Sequence, residues 1–327
     1  MTPPLLTMTD LRVTFRTADD EVRAVRGVDL DVHRGEAVAL VGESGSGKSA
    51  TSLATMGLLP KSARRTAEVL DFDGADLRTA DVRHLRGRRM AMVFQDPLTS
   101  LNPHLTIGRQ IEESVRRHAG LRGSAARQRV IALLEEVGVP DPKVRATAWP
   151  HQLSGGLRQR ALIAMGLAGD PDLLIADEPT TSLDVTVQAQ ILALFQELCR
   201  ERGMALLLIT HDLGVVAEIA DRVAVMYAGR IVEHAPVTDL FATPAHPYTR
   251  GLLGSLPGRR DGDARLPQIP GAPPDPRALA TGCPFRPRCD IAIETCEREE
   301  PGRESREPGR SAACWVDASS GPSEEAS

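Results

Sequence analysis

The chain has 327 residues, long enough for a large domain plus an appendage. Hydrophobic residues make up 42% and charged residues 25%, which excludes wholesale disorder and a fibrous fold. Lys+Arg of 39 against Asp+Glu of 44 gives a net charge of −5, and aromatics are only 3%, so neither a grip on a phosphate backbone nor base stacking is expected and no nucleic-acid partner is foreseen.

In chain order, residues 11–15 and 28–32 read as strands, and 37–41 as a buried strand that ends at a glycine-rich turn. A helix follows at 48–59, then strands at 68–72 and 90–94. Residues 97–153 change character: 104–119 and 124–137 have helical spacing, with Val130, Ile131, Leu134 and Val137 on one face, and no strand pattern interrupts them. This predicts a helical insertion in an α/β sheet domain. The rhythm then returns, with helices at 154–167, 185–202 and 213–220 and strands at 173–176, 205–210 and 222–226. Pro257, Pro267, Pro270, Pro273, Pro274 and Pro276 mark a linker or irregular loop. The expected division is an α/β domain over 8–256, a proline-rich linker and cysteine-bearing extension over 257–316, and a disordered tail over 317–327. No run approaches the ~18 apolar residues of a membrane span. Residues 1–10 lack a basic stretch followed by an apolar one, so no signal peptide is expected.

The sharpest motif is Gly42-Glu43-Ser44-Gly45-Ser46-Gly47-Lys48-Ser49, which fits G-x-x-x-x-G-K-[ST] between a predicted strand and a predicted helix. Its glycines let successive N–H groups face one anion, and the helix start adds its positive dipole end. Lys48 can reach the β- and γ-phosphates, and Ser49 can ligate Mg²⁺. A second motif, residues 173–178, is an apolar strand ending in Asp177 and Glu178. There Asp177 can hold Mg²⁺ and Glu178 can polarise a water. Leu153-Ser154-Gly155-Gly156 precedes a helix. Ser154 is a natural N-cap, and the glycines permit close approach to a phosphate.

Together these motifs resemble the ABC ATPases over about residues 8–260. The resemblance implies a P-loop ABC ATPase fold with an inserted helical subdomain and a small irregular Cys-rich C-terminal extension. It implies ATP and Mg²⁺ as ligands, Gln95 as the Q-loop glutamine, Ser182-Leu183-Asp184 as the D-loop and His211 as the switch histidine. Phe15 lies where the family stacks an aromatic on adenine. In the family two subunits sandwich ATP head to tail, so Ser154, Gly155 and Gly156 of one face the phosphate loop of the other. The fifth signature position holds Leu157 instead of the usual Gln. An apolar residue there, followed by Arg158-Gln159-Arg160, resembles the dipeptide, oligopeptide and nickel importer branch. Residues 94–103, 149–152 and the His246-Pro247-Tyr248-Thr249 stretch resemble it too.

Cys199 stands alone in a helical pattern and reads as a core residue. Cys283, Cys289, Cys296 and Cys314 form a C-x5-C-x6-C-x17-C quartet, which suits Zn²⁺ or an iron–sulfur cluster in a reducing compartment. Members of the branch carry a [4Fe–4S] cluster on such a quartet, so the resemblance favours iron–sulfur, with Zn²⁺ and free thiols as alternatives. Arg286, Arg288 and Arg298 are expected to offset an anionic cluster. The resemblance implies an ATPase at the cytoplasmic face of the membrane that energises import of peptides or similar small solutes. Its expected partners are two transmembrane permease subunits, a second ABC ATPase or a second copy of itself, and indirectly an extracytoplasmic solute-binding protein. Nickel is the alternative cargo. A soluble ABC ATPase serving as a nucleic-acid or translation switch is the rival class, set aside because the chain has one cassette and no heptad run. A non-hydrolytic regulatory subunit is a third, opposed by the presence of Glu178 and His211.

Overall fold

The computed structural model describes residues 3–16, 20–181, 183–256 and 269–316. Pro257, Pro267, Ser182 and the expected tail at 317–327 lie outside the described residues. The chain divides into two units, each assembled from separate stretches of sequence.

The first unit is built mainly from Thr79–Ile209, with Val32–Ala37. Its sheet pairs Met90–Val93 with Leu173–Asp177, and Leu173–Asp177 with Ala205–Thr210, all parallel. Parallel strands are covered on both faces and so read as unbroken apolar runs. Leu173–Asp177 and Ala205–Thr210 are accordingly buried at every position. The helix Gly155–Gly166 packs on this sheet, close enough that a Cβ at Gly166 would touch Leu174 and Val93. It also packs against Ile107–Ser114 and Gly123–Glu136, so residues 97–153 contribute helices and no strand among the described residues. Val130 and Leu134 are buried as expected, while Ile131 is only half-buried. The expected helix at 104–119 starts later, at Ile107, because Asn102 Oδ1 accepts from the His104 N–H and closes a turn first.

The second unit comprises Leu6–Asp31, Val38–Arg78 and the described residues from Thr210 onward. Ala37–Val41 pairs in parallel with Arg222–Tyr227, and Arg230–Pro236 continues antiparallel beside it. The C-terminal segment then adds a hairpin to that edge: Arg310–Ala312 pairs with Arg230–Pro236, and Glu304–Glu307 with Arg310–Ala312. A separate antiparallel sheet holds Leu6–Arg16, Glu21–Val32, Ala63–Thr66, Val69–Phe72 and Ala75–Asp76. Within Leu6–Arg16 the buried set changes from Leu6 and Met8 to Leu11 and Val13 across Asp10, whose φ of 49° breaks the two-residue alternation. The helix expected at 48–59 ends at Thr55, since Gly57 takes a left-handed φ of 61°.

The core of this unit explains how the C-terminal segment is held. Both tyrosines of the chain, Tyr227 and Tyr248, meet Phe285 there, with ring centroids 4.6 to 5.5 Å apart. Ile269, Cys283 and Cys289 pack against the same cluster. Arg26 adds a bidentate pair to Glu300 at 2.7 and 3.0 Å.

Candidate functional site

The phosphate-loop residues 42–49 connect Ala37–Val41 to the helix Lys48–Thr55. The loop is tight because two positions admit no side chain. A Cβ at Gly42 would collide with the Met226 carbonyl, and one at Gly47, where φ is 108°, with the Ala24 carbonyl. Lys48 is buried, and its ammonium donates to the Gly42 and Glu43 carbonyls at 2.7 and 2.9 Å and lies 3.5 Å from Ser46 Oγ. A cation folded onto the loop's own carbonyls can exchange them for phosphate oxygens. Ser44 and Gly45 form the exposed tip, Ser46 is buried, and Ser49 is exposed in the first helical turn. Phe15 is half-buried on Leu6–Arg16, opposite Ala63.

In the other unit the strand Leu173–Asp177 delivers two carboxylates. Asp177 is its last, buried residue. Glu178 follows at a φ of 47°, a strained conformation for a residue with a Cβ. Its N–H donates to the Ile209 carbonyl at 2.8 Å, which fixes the turn. Gln95 Nε2 donates to Glu178 Oε2 at 2.9 Å, and Thr181 Oγ1 donates to the same oxygen at 3.0 Å. The structure therefore joins Gln95 and Glu178 and adds Thr181, which the motif reading had not singled out. The hydroxyl of Ser49 and the carboxylate of Asp177 are hard oxygen donors of the kind Mg²⁺ takes.

Ser154 caps Gly155–Gly166, accepting from the Leu157 N–H at 3.4 Å, and is exposed. Asp184 caps Val185–Arg202, accepting from the Val187 N–H at 2.9 Å. The first turns of the two helices are packed together, since a Cβ at Gly156 would press on Val187 Cγ1. Gly155 and Gly156 thus open the helix start while Leu157 stays half-buried. His211 is exposed after Ala205–Thr210, beside Asp212, which caps the next helix through the Gly214 N–H at 2.8 Å.

The C-terminal cysteines are interleaved by fold as well as by sequence. The Cys283 N–H donates to the Cys296 carbonyl at 2.8 Å, which links the first and third cysteines through the backbone. Burial pushes Cys283 up to about 11 and raises Cys289 and Cys314. The donors are right in kind for a metal cluster. As they stand, no group of three His, Cys, Asp or Glu among the described residues can hold a metal ion, so the quartet does not form the expected centre in this arrangement. The arginines expected to offset a cluster are engaged elsewhere. Arg288 pairs with Glu43, Arg286 with Glu297 and Arg298 with Glu294. Arg306 and Arg250 are the cations that act on Cys314. Cys199 is buried on its helix, as expected.

The His246-Pro247-Tyr248-Thr249 stretch proves to be a buried helix start. The His246 ring accepts from the Tyr248 N–H at 3.0 Å, and burial drives its pKa down to about 3. Glu233, also buried and raised by burial, accepts from the Ala245 and His246 N–H groups at 2.7 and 2.9 Å. Tyr248 then places its hydroxyl 2.8 Å from the Glu43 N–H. Sequence reading missed this link because 205 residues separate the partners.

A family described as ABC transporter matches residues 25–181, and one described as oligopeptide/dipeptide transporter, C-terminal region, matches residues 232–296. The chain is 50% identical over 316 residues to the dipeptide transport ATP-binding protein DppD of Bacillus subtilis (strain 168), spanning 95% of this chain and 94% of that protein. It is 53% identical over 303 residues to the oligopeptide transport ATP-binding protein OppD of Mycobacterium tuberculosis (strain ATCC 25618 / H37Rv), spanning 91% of this chain and 49% of that one. Among solved structures, the dimeric post-hydrolysis state of the ATP-binding cassette MJ0796 bound to ADP and Pi is similar with a TM-score of 0.63 and 27% identity, covering 71% of this chain and 98% of that one.

Proposed function

The chain belongs to the ATP-binding subunits of ABC transporters, in the branch with the oligopeptide/dipeptide C-terminal region, and on that premise we propose that it hydrolyses ATP to drive import of peptides across the cytoplasmic membrane. The observation that carries the reading is Glu178. A strand-end carboxylate is held at a strained turn and aimed by the Gln95 amide and the Thr181 hydroxyl. That arrangement suits a base that takes a proton from an attacking water. Lys48 and the backbone of residues 42–49 bind the phosphates, Phe15 supports the adenine, and Ser49 and Asp177 hold Mg²⁺, which neutralises developing phosphate charge when bound. Gln95 and His211 respond to the γ-phosphate. Ser154, Gly155, Gly156 and Asp184 serve the nucleotide of a second ATPase subunit in a head-to-tail dimer. The reaction is ATP + H₂O → ADP + phosphate.

No helix among the described residues is long and apolar enough to cross a membrane. In this reading the chain works with transmembrane permease subunits and sits at their cytoplasmic face, which the relatives named as transport ATP-binding proteins support. The relatives named for dipeptide and oligopeptide transport support peptide cargo over nickel. The residues 8–256 form the nucleotide-binding domain in this reading, followed by the extension at 257–316. The four extension thiols Cys283, Cys289, Cys296 and Cys314 are the residues that would hold an iron–sulfur cluster in this reading. The C-x5-C-x6-C-x17-C spacing supports it. Anaerobic purification followed by iron, sulfide and zinc analysis tests this, and a product without iron and sulfide, whether empty or zinc-loaded, refutes it. For the transport reading, the tagged chain is recovered from gently solubilised membranes. Two multi-span permeases, a second ATPase and a solute-binding protein are expected. Recovery only with ribosomes or nucleic acid would overturn it.

A further inference from the structure

Glu43 is the second residue of the phosphate loop, and it is gripped at all three of its polar groups. Its N–H donates to Tyr248 Oη at 2.8 Å, its carbonyl accepts from Lys48 Nζ at 2.9 Å, and its carboxylate takes a bidentate fork from Arg288 at 2.7 and 2.9 Å. Arg288 belongs to the cysteine-bearing segment, one residue before Cys289. Its side chain is only 4% exposed. The fork's Nε donates to the Pro270 carbonyl at 2.9 Å, and the guanidinium lies 5.9 Å from the ring centroids of both Tyr227 and Phe285. One side chain therefore ties the C-terminal segment to the loop that binds phosphate.

Two physical consequences follow. A carboxylate in a phosphate-binding loop repels the triphosphate unless a cation neutralises it, and Arg288 is that cation. When Lys48 leaves the Glu43 carbonyl for the phosphates, Arg288 and Tyr248 still hold the shoulder of the loop in shape. We propose that Arg288 is a positioning residue for ATP binding, so that tight binding depends on docking of the C-terminal segment against the loop. The proposal rests on the reading that residues 42–49 bind ATP.

The test compares ATP affinity, by calorimetry, and steady-state kcat and KM in full-length wild type, R288M, R288K and E43Q/R288M. R288M keeps the apolar stem but leaves Glu43 charged and unpaired. Its ATP Kd and KM are expected to rise about tenfold, within the usual range of coupling between sites, while kcat at saturating ATP changes little. R288K keeps the charge without the fork and is expected to fall between R288M and wild type. E43Q/R288M, with no carboxylate left unpaired, is expected to bind ATP more tightly than R288M. Binding is reciprocal, so ATP should slow amide exchange at Cys283, Arg288 and Cys289 in wild type. If R288M does not fold, R288K and the exchange experiment carry the test alone. Wild-type affinity in both Arg288 variants overturns the proposal, as does a double variant no better than R288M, or exchange unmoved by ATP. A wild-type chain that binds no ATP at all would instead refute the function on which the proposal rests.

Discussion

Replacing Phe285 by Ala removes the ring that seats the C-terminal segment. Phe285 is 3% exposed and lies 5.3 Å from Tyr227, 5.5 Å from Tyr248 and 5.8 Å from His246, centroid to centroid. Deleting a buried phenylalanine costs about 3–5 kcal/mol, the sum of lost transfer energy and the cavity left behind. Part of that sum is ring–ring attraction, at about 0.5–1.5 kcal/mol for each favourable pair. If the segment opens as a local unit, the loss falls on its own opening equilibrium. At about 1.4 kcal/mol per tenfold, amides inside it should exchange roughly 10²–10⁴ times faster. The reporters are Cys283, Arg288 and Cys289, whose N–H groups donate to the carbonyls of Cys296, Phe285 and Arg286. Amide hydrogen exchange read by mass spectrometry or NMR gives the answer, with the strand Leu173–Asp177 as the internal control. Unchanged exchange in the segment would refute the argument that Phe285 seats it. An equal rise in Leu173–Asp177 would show that the segment does not open on its own.

Gly47→Ala is expected to weaken ATP binding at least tenfold. A Cβ there meets the Ala24 carbonyl, and a φ of 108° costs about 1–2 kcal/mol for an L residue before any clash; a fluorescent ATP analogue titration measures it. His246 supplies a pH dependence. The unfolded chain takes up a proton near 6.5, and the folded one refuses it until about pH 3. The stability from this group is full above pH 6.5 and falls with pH, by about 1.4 kcal/mol per unit, down to about pH 3. The stability gap between wild type and His246→Gln should therefore narrow on acidification, as followed by urea unfolding at pH 7.5, 6 and 5. Asp184→Ala removes the cap on Val185–Arg202 and should lower stability by about 1 kcal/mol, read from the urea midpoint.

The parallel sheet was legible in the sequence because burial on both faces writes itself as contiguous apolar runs, as in Ala37–Val41 and Ala205–Thr210. The loop motif at 42–49 stood out because its glycines, lysine and serine fall within eight consecutive positions, and the structure places that stretch between Ala37–Val41 and the helix Lys48–Thr55. Other strands left no such trace. Ala63–Thr66 reads Ala-Arg-Arg-Thr and Glu304–Glu307 reads Glu-Ser-Arg-Glu, so their strand form comes from pairing with Leu6–Arg16 and Arg310–Ala312 and not from any apolar pattern. Arg288 shows the limit most clearly. Beside Cys289 in sequence it reads as a counter-charge for thiolates. In the fold it serves a carboxylate 245 residues away. The cysteine spacing identified four related thiols, but spacing alone carries no distances between them.

The central claim is tested most directly by Mg²⁺-dependent ATP hydrolysis in wild type and Glu178→Gln, with ATP affinity measured on both. The substitution preserves shape and leaves an oxygen for Gln95 and Thr181 to bond, while removing the basicity. Wild type should turn over ATP, and the variant should be slower by about 10²–10⁴ with its affinity retained. Near-normal turnover in the variant would contradict the account.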